Sequence, residues 1–330
     1  MSGYVKRGFV VILGAVLLGV AAVASLAIGS KAIPVHEVFD VLLHPSASEA
    51  SVIVWDMRLP RTLAGIEVGL ALAIAGAMMQ TLTRNPIAEP RILGISAGAS
   101  TGVVVAIAMF GISTLAGWIW FGLLGAALAG LLVFGIAARS RDGAHPVNLA
   151  LAGAAVDAGL GSLIYGLLSI DAATFDQFRF WVVGSLAGRT PQMALQVAPF
   201  IAVGLVLAVF VARGLDALAL GDDMARGLGQ SVARVRIIGG TAAVLLTGAA
   251  VALAGPIAFV GLAVPHAARA LVGTGHRWVL PVSALFGVVM VLSADILGRV
   301  LFPPGEVPAG VITALVGAPV LLWTVLRSGK

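Results

Sequence analysis

The stretch RLPRTLAGIEVGLALAIAGAMMQTLTRNPIAEPRILGISAGAS, Arg58 to Ser100, decides how the chain reads. It opens on two arginines around a proline, Arg58-Leu59-Pro60-Arg61, and then runs apolar from Leu63 to Met79, interrupted only by Glu67. It breaks at Thr83-Arg84-Asn85-Pro86 and recovers as a glycine-rich segment from Gly94 to Gly102. An apolar run of about 20 residues with basic and breaking residues at both ends reads as a membrane span with two wet faces.

The rest of the chain agrees. Of its 330 residues 60% are hydrophobic and 11% charged, where a soluble domain carries about 25% charged residues. Mean hydropathy is +1.07. The expectation is an all-α polytopic membrane protein, with residues 1–330 forming one transmembrane domain. The net charge of +5 is spread over many short loops. It therefore reads as orientation information and argues against a nucleic-acid partner. Cysteine is absent, which excludes a disulfide frame, a thiolate metal site and a cysteine nucleophile. Lys6-Arg7 precedes an apolar run from Gly8 to Gly29. That run exceeds the roughly 7–15 residues of a signal peptide's apolar core, so it reads as the first span.

Ten spans are expected, at 8–29, 61–82, 92–110, 115–138, 147–168, 194–213, 233–254, 256–272, 279–298 and 308–326. Each should be helical, because lipid offers no partner to an unbonded backbone group. Of the 20 basic residues, six fall on one side: Lys31, Arg58, Arg61, Arg179, Arg189 and Arg299. The remaining 14, Arg141 and Lys330 among them, fall with the two termini. The positive-inside rule makes that second side cytoplasmic, in a cytoplasmic membrane. Two outer loops are long. The segment from Pro34 to Leu43 has the spacing of an interfacial amphipathic helix. The loop 169–193 carries Phe178, Phe180 and Trp181, as an interfacial aromatic belt would.

Several constellations have two readings each. Gly65, Gly69, Ala73 and Ala77 form one ridge of small residues, and Gly94, Gly98 and Gly102 another. Such ridges serve packing within a bundle, or a passage or subunit interface. Arg58, Arg61 and Arg299 sit at outer span ends. Arginines there snorkel to headgroups, or present forks to a partner's carboxylates. Glu67, Asp157 and Asp295 lie in or at the edge of spans, where acids are costly. Asp295 precedes Arg299 by one turn, which allows an i,i+4 ion pair. The five histidines, His145 among them, are scattered. No HExxH, GxSxG or GxxxxGK[ST] pattern is present, so no catalytic set or P-loop is expected. An ion-coupled secondary transporter working through the three acids stays open.

Five segments together resemble the FecCD-type permeases of type II ABC importers, which serve iron-siderophores, haem and vitamin B12. They are the opening stretch, FRFWVVGSLAGR (178–189), ALGDDMARGLGQSVARVR (219–236), GPIAFVGLAVPHAARALVGTGHRWVLP (255–281) and ADILGRVLFPPGEVPAGVITALVGAPVLLW (294–323). Within that family the chain looks most like a ferric-siderophore permease of the enterobactin type. The resemblance implies a ten-helix bundle that pairs with a second permease subunit. Two cytoplasmic ATPase subunits would bind below, holding the ATP and magnesium, and an extracytoplasmic binding protein would bind above. This chain itself would carry no cofactor. Arg58, Arg61 and Arg299 match the positions that dock the binding protein. Gly221, Asp222, Asp223, Ala225, Arg226, Gly227, Leu228 and Gly229 match the loop that seats in the ATPase. The run 63–79 with Glu67, Met78 and Met79 is the expected pathway lining. Glu67 and Arg91 depart from the family pattern. Haem or cobalamin remains the alternative cargo.

Overall fold

The structure is a computed structural model describing residues 3–139, 146–302 and 305–328. Arg141, His145 and Lys330 lie outside the described residues. In chain order the helices are α1 (Gly3–Ala27), α2 (Val35–Leu43), α3 (Glu49–Val52), α4 (Leu59–Leu82), α5 (Ile95–Phe110), α6 (Leu115–Ala138), α7 (Pro146–Ile170), α8 (Ala172–Val182), α9 (Pro191–Ala219), α10 (Asp222–Gly227), α11 (Val232–Ala254), α12 (Val260–Val272), α13 (His276–Leu301) and α14 (Ala309–Ser328). A π-helical turn, Ile53–Arg58, feeds α4, and a 3-10 turn, Pro90–Leu93, feeds α5. Among the described residues, seven apolar stretches are long enough to span a bilayer, and three shorter apolar helices accompany them. Together they occupy the ten expected spans.

The end carrying both termini is called inner here, following the basic-residue count, and the other end outer. α4 is the central post. It packs against α9, α11, α12 and α13, and most of its residues are buried, from Pro60 to Leu82. Missing side chains make this possible. A Cβ on Gly69 would lie 2.6 Å from the Gly287 carbonyl of α13, and one on Gly76 1.9 Å from the Gly261 carbonyl of α12. The second ridge works the same way: a Cβ on Gly102 would lie 2.0 Å from the Phe121 carbonyl of α6. Both ridges therefore serve packing inside the bundle, where close backbone approach replaces the hydrophobic drive that lipid removes.

Two outer segments differ in informative ways. Pro34–Leu43 does form a helix, α2, with Val38 and Val41 buried and Val35, Phe39 and Leu43 exposed. The loop 169–193 instead contains α8, capped by Asp171, whose carboxylate accepts from the Ala173 and Thr174 N–H groups. The bond from the Thr174 hydroxyl, and after it those N–H bonds, hold the Asp171 carboxyl below its usual range. Phe178 and Trp181 are 4% and 2% exposed, with rings 5.8 Å apart. They are core residues and form no interfacial belt. α8 folds back onto α5 and α7, which puts one of its faces inside.

Candidate functional site

At the outer end a buried ionic network joins α1, α4 and α13. Asp295, 1% exposed, accepts from Arg61 Nε at 2.9 Å and Nη2 at 2.8 Å, and from Arg299 Nη2 at 2.7 Å. Arg61 Nη1 also reaches Glu306 at 2.7 Å. The expected Asp295–Arg299 pair is thus present, within a larger cluster. Arg299 donates further to the Ser25 carbonyl at 2.8 Å and the Ile28 carbonyl at 3.2 Å. Arg58 donates to the Leu26 and Ala27 carbonyls at 2.7 and 2.8 Å, and to Lys31 O. The last carbonyls of a helix have no intrahelical donor, and cations suit that terminus. Arg58 and Arg299 supply both needs for α1.

None of the three arginines snorkels. Arg58, Arg61 and Arg299 are 6%, 9% and 3% exposed. Sequence reasoning did not select Arg189, which is 6% exposed and donates to the Ala187 and Ser185 carbonyls. Burial, and secondarily the charge of Arg61, push its guanidinium down to about 10. Within this cluster, therefore, four arginines face two carboxylates, Asp295 and Glu306. Glu306 is the exposed member, with 38% of its side chain accessible.

Between the ends lies a cavity of about 590 Å³. Its walls include Ser96, Ala97 and Ser100 of α5, Asp157, Ser162 and Tyr165 of α7, Phe175 and Phe178 of α8, and Thr247 of α11. The non-helical segment Pro256–Ala258 closes one side, and Glu89, Pro90 and Arg91 another. Non-helical backbone inside a bundle is tolerated where it is buried in protein or lines a cavity. The hydroxyls, Asp157 and the aromatic rings make a wall of mixed polarity. Of the run 63–79, only Leu72 lines it. Met78 and Met79 are 0% and 1% exposed and belong to the core, because the inner half of α4, from Ala71 on, is covered on all sides. Glu67 is half-buried, its Oε2 enclosed without a hydrogen-bond partner, and it lies off this cavity's wall. One long face of α7 is open: Leu151, Leu163, Tyr165 and Ile170 are 65%, 48%, 74% and 84% exposed.

The inner end carries the loop 219–236. Its centre is the short helix α10. Gly221 at φ +114° and Gly229 at φ +78° bracket it in conformations other residues rarely adopt. Ala225 is 1% exposed and anchors α10, while Leu220, Met224 and Leu228 are 63%, 58% and 59% exposed. Gly227 bounds open space, and Asp223 pairs with Arg226 at 2.7 Å on the surface. Asp222 points inward, to Arg236 of α11 at 3.0 Å and to Arg84 just beyond α4. The loop after α4 is therefore in direct contact with α10. Two further ties fix the inner end of α4. Thr81 bonds His276 at 2.8 Å, and His276 bonds Asp216 at 2.6 Å. Arg269 donates to the Gln80 side chain and, at 3.2 Å, to the Ala77 carbonyl.

A ten-span helical bundle around a cavity of mixed polarity, with polar contacts gathered at both ends, is a multi-pass membrane transport protein. The chain belongs to the FecCD transport family, whose model matches residues 17–327. It is 43% identical over 314 residues to the ferric enterobactin transport system permease protein FepD of Escherichia coli, covering 95% of this chain and 94% of that one. It is 39% identical to the probable siderophore transport system permease protein YfiZ of Bacillus subtilis, with the same coverage. The hemin transport system permease protein HmuU of Yersinia pestis is 36% identical over 99% of this chain and 98% of its own. A solved inward-facing metal-chelate-type ABC transporter superposes with a TM-score of 0.85 at 30% identity, covering 98% of this chain and all of that one. This chain is accordingly a membrane-embedded permease subunit of the ABC-importer kind, and such subunits are not themselves enzymes.

Proposed function

We propose that this chain carries a ferric siderophore inward across the cytoplasmic membrane, as one half of a permease pair driven by separate ATPase subunits. The observation that carries this is the cavity beside the open face of α7. A volume of about 590 Å³ is of the size of small-molecule sites, and a second subunit on α7 would enlarge it to hold a chelate. Relatives named for ferric enterobactin and siderophores support the cargo class. The hemin relative supports haem as the alternative. Both termini lie in the cytoplasm in this reading. The exposed Leu220, Met224 and Leu228, on and flanking α10, are the seat for an ATPase, with ATP and magnesium held by that partner.

An extracytoplasmic binding protein docks at the outer end, over the arginine cluster. Arg58, Arg61 and Arg299 already hold internal acceptors, so docking is an exchange of acceptors. Arg61 is the first to exchange, because its partner Glu306 is open to solvent. Each bound state drives transport only through its differential affinity for one access state. The test is ATP-dependent uptake of radioactive iron by vesicles holding the chain with its co-purifying partners. Uptake of the iron supplied as ferric siderophore but not as haem supports the reading. Uptake that persists without ATP and collapses with the ion gradient overturns it in favour of an ion-coupled carrier.

A further inference from the structure

The basic residues of the inner end are not all engaged alike. Near α10, Arg84 and Arg236 hold Asp222, and Arg226 holds Asp223. Lys6, Arg7 and Arg277 differ: among the described residues, none of the three forms an ion pair or a side-chain hydrogen bond. They gather where two helix N-termini meet. α1 and α13 pack side by side, a Cβ on Gly14 would lie 3.1 Å from Leu285, and both helices run outward from the inner end. Neither has an acidic residue in its first turn, and no side chain caps α13. A helix N-terminus carries partial positive charge and favours anions over cations. Asp216 does reach α13 here, accepting from the His276 N–H at 2.8 Å and bonding its Nδ1 at 2.6 Å. It pairs with none of the three cations. An anion from outside the chain is what these charges lack.

Two rings stand among the cations. Tyr4 and Trp278 meet edge to face, with centroids 6.4 Å apart. The Arg7 guanidinium lies 6.0 Å from the Tyr4 centroid, and that of Arg277 6.0 Å from the Trp278 centroid. Arg7 Nη2 would stand 3.4 Å from a Cβ on Gly273, so it also lies against the turn between α12 and α13. Tyrosine and tryptophan with basic neighbours are the side chains of the headgroup layer. Directly outward along α1, Val5, Phe9, Ile12, Val16 and Val20 are exposed. Their steps of three and four residues put them on one helix face, and α1 is a membrane span. The cations thus sit at the head of a continuous lipid-facing stripe. A free anion would meet only the cations, and a lipid with an anionic head meets both parts.

We propose that the inner ends of α1 and α13 bind one anionic glycerophospholipid. Its phosphodiester sits between Arg7 and Arg277, with Lys6 beside it, and its acyl chains follow the Val5–Val20 stripe. Guanidiniums suit this role because their fork matches phosphate oxygens in pairs. The lipid also supplies a missing tie. The outer end of α1 is held by Arg58 and Arg299. Among the described residues, no hydrogen bond joins its first two turns to another helix, and a headgroup shared with Arg277 bridges α1 to α13 there.

The test uses the detergent-extracted transporter with its co-purifying partners, stripped of native lipid. It is given equimolar dioleoyl phosphatidylglycerol and dioleoyl phosphatidylcholine, and retained lipid is counted by native mass spectrometry. Arg277→Gln, an exposed substitution, is expected to weaken phosphatidylglycerol retention about fivefold, the scale of one basic residue at an anionic surface. The Arg7→Gln and Arg277→Gln pair is expected to weaken it about 25-fold, with phosphatidylcholine unchanged; the single variant carries the test if the pair fails to assemble. Arg139→Gln removes the same charge at the far end of α6 and is expected to retain the lipid as the parent does. Phosphatidylglycerol should also slow amide exchange over residues 4–10 of the parent. Parental retention in both glutamine variants, an equal loss in Arg139→Gln, or exchange in the parent that ignores the lipid overturns the site. Displacement of the phosphatidylglycerol by excess inorganic phosphate shows a site for free anions and overturns the lipid.

Discussion

Replacing Asp295 by alanine removes the one anion shared by Arg61 and Arg299. Both guanidiniums stay where they are, since Arg299 is held by the Ser25 and Ile28 carbonyls and Arg61 by Glu306. Asp295 accepts from three guanidinium nitrogens: Nε and Nη2 of Arg61, and Nη2 of Arg299. Bonds to charged groups contribute about 1.5–3 kcal/mol each, but two of these belong to one fork and do not add. Breaking a buried ion pair by removing one partner costs about 3–5 kcal/mol, and that range is the expected loss. At about 1.4 °C per kcal/mol for a chain of 330 residues, the melting midpoint falls by about 4–7 °C. The assay is retention of the monodisperse, detergent-extracted chain after a series of heat steps. Replacing Asp295 by leucine and Arg299 by methionine together should recover at least half of the loss, because an apolar pair leaves no stranded charge there. If Asp295→Ala melts within about 1 °C of the parent, less than a 1 kcal/mol effect, the network is not what holds α1, α4 and α13 together.

Gly76→Ala should destabilise by more than the roughly 1 kcal/mol that alanine gains in helix propensity. Its Cβ would stand 1.9 Å from a backbone carbonyl that no rotamer change can move, and overpacking costs about 1–3 kcal/mol; a melting midpoint at or above the parent's refutes the α4–α12 contact. Glu306→Gln should tighten docking of the binding protein severalfold and steepen its salt dependence, since it frees Arg61 for the partner's carboxylate; a weaker complex by titration means that Glu306 itself is a docking group. Asp171→Ala should loosen the first turn of α8, read as faster amide exchange at Thr174. Because folding depresses the Asp171 carboxyl, its contribution is present above the ordinary aspartate range and shrinks as pH falls through the depressed value. Parent and variant should therefore converge in acid, and a gap that widens there contradicts the cap.

The spans were legible because spanning is a local property. A helix crosses the bilayer if about 20 successive residues are apolar, and no knowledge of neighbours is needed to count them. The glycine ridges at Gly65–Ala77 and Gly94–Gly102 were legible for the same reason, since helical spacing alone aligns them. What each face of a span touches was not legible. Lipid and protein neighbours are both apolar, so the alternation that marks a buried face in water is missing. Met78 and Met79 looked as suited to a pathway as to a core until α9, α11, α12 and α13 closed around α4. The arginines were legible as charges at outer ends, but their partners were not. Arg61 finds Asp295 at a separation of 234 residues, and Arg299 finds the Ser25 carbonyl at 274. Glu89 finds Phe259 at 170. From sequence alone came a membrane bundle with charged ends and close-packed helices, because apolar length and small-residue spacing are written locally. Tertiary structure alone decided that Arg58 and Arg299 cap α1, that the cavity is lined by residues as far apart in the chain as Leu72 and Gly261, and that the loop after α4 meets α10. Those pairings depend on which helix ends come together, and in lipid only packing geometry specifies that.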